Sequence, residues 1–231
     1  MKYLGSKRRI AKYILPIILK DKNTNQIYIE PFAGGCNTLD KVQGKRVAND
    51  INFYLVEMYK ALQNGWIPPN KIDLEEYKDI RNNKGKYPPE LVGFVGFGCS
   101  FGGKWFGGYA RGNNSLGAKR NYCDEAKRNL LKQIANLKDV KFINKSYDEI
   151  DYPKNSLIYC DPPYKDTTEY MTKFDSLKFY DWVKDMTNQN HKVYFSEYSA
   201  PKEFKCIWSY NTTTNLNINQ HSTRIEKLFI F

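Results

Sequence analysis

The tetrapeptide Asp161-Pro162-Pro163-Tyr164 is the part of this sequence best equipped for chemistry. It follows Leu157-Ile158-Tyr159-Cys160, an apolar run that reads as a buried strand. Two consecutive prolines cannot extend a ladder, and each fixes its own φ. They therefore hold the acid before them and the ring after them in a rigid elbow at the strand's carboxyl end. A carboxylate and the Pro162 carbonyl can accept both hydrogens of a planar amine, and Tyr164 can offer a stacking face. That suits an exocyclic amine such as that of adenine, whose lone pair is delocalised into the ring and must be drawn out before it can attack an electrophile. The plain alternative is a Pro-Pro turn closing a strand.

Two upstream segments have the makings of a ligand site. Tyr28-Ile29-Glu30-Pro31-Phe32-Ala33-Gly34-Gly35-Cys36-Asn37 runs from a strand into a glycine turn. In an open α/β sheet such a turn lets the backbone approach a ligand at the strand's carboxyl end. One Gly-Gly pair is less than a dinucleotide fingerprint and fits a smaller ligand, or else a simple tight turn. Asp50, in Val47-Ala48-Asn49-Asp50-Ile51-Asn52, closes the next strand. An acid there is placed to bind a ribose, and equally to cap a helix.

The elements that must position these residues follow an alternating rhythm. Strands are expected at 27–30, 46–49, 141–144, 157–160, 192–196, 205–209 and 226–230, with helical patterns at 56–63, 126–137 and 179–189. Such alternation implies a parallel sheet covered on both faces. From Asn64 to Tyr122 the rhythm breaks into a Gly-, Pro-, aromatic- and Lys/Arg-rich segment. It reads as an insertion between the second and third strands. The chain thus divides into 1–63 plus 123–231, and an inserted 64–122.

Composition narrows the partners. The 231 residues carry 36 Lys and Arg against 25 Asp and Glu, a formal +11, which favours a polyanion. The bland reading is a basic protein with solvated cations. Cys36, Cys99, Cys123, Cys160 and Cys206 are scattered, and His191 and His221 lie far from them, so neither a metal site nor a disulfide framework is expected. No apolar run approaches the roughly 18 residues of a membrane span, and the start lacks a secretory signal; a cytoplasmic protein is expected.

Asp161-Pro162-Pro163-Tyr164, preceded far upstream by Glu30-Pro31-Phe32-Ala33-Gly34-Gly35, resembles the amino-methyltransferases of nucleic acids. The order of the motifs, with the basic insertion between them, is similar to the Dam-type DNA adenine-N6 methyltransferases of bacteria and phages. Lys2-Tyr3-Leu4-Gly5-Ser6-Lys7, Asn49-Asp50-Ile51-Asn52, Lys145-Ser146-Tyr147 and Val193-Tyr194-Phe195-Ser196 resemble further family segments. The resemblance implies a Rossmann-like seven-stranded sheet that binds S-adenosylmethionine (AdoMet), with a small inserted recognition domain, acting on double-stranded DNA in a bacterial or phage-infected cell. It implies Tyr3, Gly5, Lys7, Glu30, Pro31, Phe32, Gly34, Gly35, Asp50 and Asp161 around AdoMet, and Asp161, Pro162, Pro163 and Tyr164 in catalysis. In the insertion, Lys104, Arg111, Lys119 and Arg120 would meet phosphates or base edges, with Arg111 the best placed to read a guanine. Trp105, Phe106 and Tyr109 would wedge into the duplex or form the insertion's own core. The same motifs also fit methylation of cytosine N4 or of adenine in RNA, or a silent DNA-binding protein. Cys36 stands where the family often has a second glycine. Gly98 and Ser100 stand where GATC-reading members carry Arg and Asn, so GATC is not implied as the target.

Overall fold

The computed structural model of the chain describes residues 1–113, 115–163, 174–217 and 220–231. Within these, α1 (Ala11–Ile18) precedes β1 (Tyr28–Glu30) and β2 (Arg46–Asn49). Four helices follow: α2 (Phe53–Gln63), α3 (Leu74–Asn82), α4 (Pro89–Gly98) and α5 (Tyr122–Ile134). The remainder is β3 (Val140–Ile143), β4 (Leu157–Cys160), α6 (Ser176–Asn188), β5 (Lys192–Glu197), β6 (Lys205–Asn217) and β7 (Gln220–Ile230). The strands form one sheet in the order β3-β2-β1-β4-β5-β7-β6. β7 is antiparallel to both of its neighbours; the other pairings are parallel. The fully parallel sheet expected from the alternation is corrected here. No helix separates β6 from β7, and without a crossover two adjacent strands can only pair antiparallel.

Side-chain alternation divides the core into two layers. Tyr28, Ala48, Leu157, Tyr159 and Leu228 face α1, α2, α4 and α5. Ile29, Ile158, Cys160, Phe195 and Phe229 face α6, through Phe179, Val183 and Met186. Leu157 to Cys160 is buried on both sides, which is why it reads as a continuous apolar run. Capping fixes where the helices begin. Asn52, Asn121 and Asp175 each accept a hydrogen bond from a first-turn N–H, so α2, α5 and α6 start three or four residues before their apolar periodicity becomes visible.

The insertion contains two helices that its composition conceals, α3 and α4. α4 is apolar all round and lies against α2, α3 and α5. Ile72, Tyr77, Ile80, Val92, Phe94, Phe97 and Phe106 belong to the same apolar cluster as the sheet residues Tyr28 and Leu157. Trp105 stacks on Tyr54 of α2 at 5.8 Å, and Tyr109 donates its hydroxyl hydrogen to the Ile72 carbonyl at 2.8 Å. Of the two roles open to Trp105, Phe106 and Tyr109, all three rings take packing.

Close approach of α4 to α2 depends on Gly93. A Cβ there would lie 2.2 Å from the Tyr54 carbonyl oxygen, a backbone atom that cannot swing aside. Gly93→Ala is expected to cost about 1–3 kcal/mol by overpacking. Gly85→Ala, where a Cβ meets open space, should be near neutral. Urea midpoints test both, and a Gly93→Ala chain as stable as wild type would contradict this packing.

Candidate active site

Parallel pairing of β2, β1 and β4 brings their carboxyl ends to one edge of the sheet, where ligands bind in open α/β folds. Glu30, Asp50 and Asp161 stand at or just past the three adjacent tips. Pro162 is buried and Pro163 half-buried; Tyr164 lies outside the described residues. Asn49, 1% exposed, donates to the carbonyls of Pro31 at 2.8 Å and Lys145 at 3.0 Å, and accepts from the Lys145 N–H at 2.9 Å. It ties the ends of β1, β2 and β3 into one rigid rim.

Lys7 connects the chain's first residues to this edge. It opens a single 3-10 turn, Lys7–Arg9, that is started by the Ser6 hydroxyl accepting the Arg8 N–H. Its side chain is 7% exposed. Nζ lies 2.9 Å from Asp161 Oδ1 and 3.6 Å from Glu226 Oε2, and donates to the Gly5 carbonyl at 3.2 Å. Burial alone would lower the lysine's pKa, but the carboxylates of Asp161 and Glu226 outweigh it and the value is raised. Lys7 is therefore a cation, and the motif at the start of the chain and the Asp-Pro-Pro elbow form one site.

Around this pair lie further acids, of which Glu226 and Glu197 belong to no motif. Glu226 enters from β7, and Glu197 ends β5 with its pKa pushed up to about 7 by burial and by the neighbouring carboxylates, against the Tyr198 N–H it accepts. Glu30 is 3% exposed and accepts from the Tyr28 hydroxyl at 2.8 Å; burial raises its pKa to about 8. Across β4 and β5 the Tyr159 and Ser196 hydroxyls are 2.8 Å apart. Sequence reading missed Glu226 and Glu197. The available signal was a carboxylate within or at the end of a strand that also carries apolar residues, since an acid there is rarely buried without a partner.

The glycine turn is shaped by Tyr3. Gly34 has φ +46°, and a Cβ on it would lie 2.7 Å from the Tyr3 ring, which in turn stacks on Phe97 at 5.2 Å. Cys36 holds φ +52°, a left-handed conformation that glycine favours, with its thiol fully buried. Asp50 accepts the Gly34 N–H through Oδ2 and the Asn52 N–H through Oδ1, both at 2.9 Å. Burial raises its pKa, opposed by those two donors. The cap of α2 is Asn52, so Asp50 is not spent on capping. A carboxylate has about four acceptor positions, which leaves two for a diol. The Phe32 ring packs against Tyr147, Phe174 and Phe179.

The four cations of the insertion separate. Arg111 and Lys119 are exposed, at the base of a short loop closed by an Asn113–Lys119 bridge. Arg120 makes a bidentate pair with Glu125, at 2.8 and 2.5 Å, above the Tyr122 ring. Lys104 is half-buried.

The sheet thus gathers a glycine turn after its first strand, an acid at the tip of its second and Asp-Pro-Pro at the tip of its fourth along one edge. The family model for D12 class N6 adenine-specific DNA methyltransferases matches residues 3–88 and 108–228, and the chain belongs to that family. It is 26% identical over 261 residues to modification methylase StsI of Streptococcus sanguinis, covering 96% of this chain and 39% of that protein. It is 27% identical over 191 residues to the type II methyltransferase M.FokI of Planomicrobium okeanokoites, covering 73% and 29%. The chain thus spans well under half the length of either relative. Among solved structures it is similar to the tRNA (m1A58) methyltransferase TrmI of Aquifex aeolicus, with TM-score 0.42, 10% identity and coverage of 99% and 69%. Among the described residues no helix is long and apolar enough to cross a membrane.

Glu30 gives the site a pH signature. With its pKa at about 8 in the folded chain against an ordinary 4.5, the native state keeps a proton that the unfolded chain releases. Its contribution is complete at low pH and is lost as pH rises toward 8, at up to about 1.4 kcal/mol per unit. Urea midpoints at pH 5, 6.5 and 8 should fall more steeply for wild type than for Glu30→Gln, which cannot ionise. Parallel curves would show that Glu30 is ionised throughout.

Proposed function

We propose that this chain transfers the methyl group of AdoMet to N6 of adenine in double-stranded DNA. The observation that carries the reading is the 2.9 Å pair between Lys7 and Asp161, which joins the opening motif to the Asp-Pro-Pro elbow beside the glycine turn. Bound AdoMet supplies an electrophilic methyl on a sulfonium. Asp50 would accept hydrogen bonds from the ribose hydroxyls, and the turn through Gly34 and Gly35, with Tyr3, Gly5, Lys7, Glu30 and Pro31, would border the rest. The residues fit such a ligand because Asp50 keeps acceptor capacity at the very tip of β2.

Asp161 and the Pro162 carbonyl accept the two hydrogens of the target amine, which draws its lone pair out of conjugation. Lys7 fixes the carboxylate for that task. Tyr164, from sequence alone, would stack on a base taken out of the duplex. No enzyme nucleophile would be needed: the amine nitrogen would take the methyl as the carbon–sulfur bond breaks, the thioether would leave as S-adenosylhomocysteine, and the surplus amine proton would pass by way of the Asp161 carboxylate to solvent. The same chemistry would act on cytosine N4 or on adenine in RNA, so the modified nucleoside decides the substrate.

Labelled AdoMet should yield N6-methyladenine in duplex DNA. Asp161→Ala should lower turnover at least ~100-fold, about 2.7 kcal/mol, with the fold intact by circular dichroism. A folded Asp161→Ala enzyme with near-normal turnover, or label found only in cytosine or RNA, would overturn the reading.

Sequence choice would belong to residues 64–122, and base choice to 1–63 with 123–231. Arg111 is exposed and Arg120 is held by Glu125, which favours Arg111, with Lys119, as the reading side chain. Arg111→Ala should relax recognition at one base pair by about 1–3 kcal/mol on a randomised duplex library, and leave AdoMet affinity unchanged. An unchanged site preference and DNA affinity would remove Arg111 from the interface.

A further inference from the structure

Directly after the buried Lys7, the chain turns its cations outward. Arg8, Arg9 and Lys12 are exposed, and so is Tyr13, while Ile10, Ala11 and Ile14 face the core. The polar face of this segment is thus basic, and none of the three cations has an acidic partner among the described residues. Lys12 Nζ sits 4.8 Å from the centre of the Tyr13 ring. Tyr13 in turn stacks on Tyr210 at 5.2 Å and Trp208 at 6.4 Å in β6, whose own rings are parallel to within 3°. Tyr13 and Tyr210 remain 39% and 42% exposed. Packing alone does not call for a basic edge beside a half-open aromatic stack.

Its position gives it a use. Tyr210 pairs with Glu226, and Glu226 lies 3.6 Å from the lysine that holds Asp161. The patch therefore borders the catalytic edge, toward the β6 end of the sheet, while the segment that begins it is anchored on the insertion, where Tyr3 stacks on Phe97 and the Leu4 N–H donates to the Gly103 carbonyl. Three strand spacings separate β4 from β6, about 14 Å. That is about four base pairs of duplex at 3.4 Å each. Beyond Glu197, where β5 stops, the β6–β7 ladder continues to Asn217 and Gln220. A strand arm of roughly 20 Å thus stands past the catalytic edge on the same side.

We propose that Arg8, Arg9 and Lys12, with Tyr13 and Tyr210, form a second DNA-backbone surface. It holds phosphates within about four base pairs of the target, on the side where β6 lies. The assignment rests on the adenine-methylation reading. A +11 chain has charge to place on a polyanion, and here the charge lies beside the acid that does the chemistry. Phosphate contacts carry no sequence information, so this surface would add affinity and register without changing the site read.

The test is a chain carrying Arg8→Ala, Arg9→Ala and Lys12→Ala, all exposed positions, in duplex binding at several salt concentrations. Duplex affinity should fall at least 10-fold at low salt, and the slope of log K against log salt should shrink by about two to three. AdoMet affinity and site preference should not move. Tyr210→Ala, which removes no charge, should weaken binding without altering the slope. If wild type binds and methylates duplex DNA while the triple variant keeps its affinity and slope, this surface is wrong and the functional reading stands. If wild type neither binds nor methylates duplex DNA, both fall.

Discussion

A lysine with 7% exposure cannot stay charged without partners, and Lys7 finds two, one on β4's elbow and one on β7. Taking an ammonium and a carboxylate out of water costs several kcal/mol per ion, and close contact offsets that cost only when the geometry is fixed. Three distant parts of the chain are therefore held to one place: residues 1–9, the end of β4 and the root of the β6–β7 hairpin. Such a pair is weak as a source of stability and strong as a positioning device. It leaves Asp161 oriented before any substrate arrives. Repulsion among the neighbouring acids is limited because burial raises the pKa of Glu30 to about 8 and that of Glu197 to about 7, which favours their neutral forms.

The second constraint is the shared core of the insertion and the sheet. Gly93 lets α4 lie on the backbone of α2, and a Cβ on Gly96 would meet the Trp105 ring at 2.2 Å. The aromatic residues that give residues 101–109 their unusual look are used in that packing. Any reading of DNA by this region falls to what stays outside, chiefly the loop between Arg111 and Lys119. A loop on a rigid base is a good place for recognition, because its side chains can vary while the base sets their distance from Asp161.

Legibility in the sequence followed physical locality. The five parallel strands were readable because each is a short apolar run, and the elbow because Asp-Pro-Pro is a constraint contained in three residues. Asp50 was visible as a strand-end acid, but its hold on the Gly34 N–H arises only when β1 and β2 lie side by side. α4, Pro-Glu-Leu-Val-Gly-Phe-Val-Gly-Phe-Gly, was hidden because it is buried all round and so has no amphipathic period, and its glycines imitate a loop. α3, capped by Asp73 and burying Tyr77 and Ile80, carried a readable signal that was missed among its charged neighbours. The outer half of β6, Asn211 to Asn217, is Thr- and Asn-rich and has no apolar alternation; cross-strand pairing makes it a strand.

The reversal of β7 links the sheet's topology to its chemistry. In a parallel strand the residues that precede the pairing with β5 would lie at the far edge, away from the site. Because β7 runs backwards, Lys227 pairs with Glu197 and the residue before it, Glu226, falls at the catalytic edge. Leu228 faces the layer that holds α1, and residues two apart share a face, so Glu226 faces that layer too and meets Lys7. A slip of one residue in the β5–β7 register would turn Glu226 to the α6 side, leave Lys7 with Asp161 alone, and expose Phe229 to the wrong layer. The apolar residues Leu228 and Phe229 thus set the position of a charge two or three residues away, and the hairpin that finishes the sheet contributes a carboxylate to the candidate site.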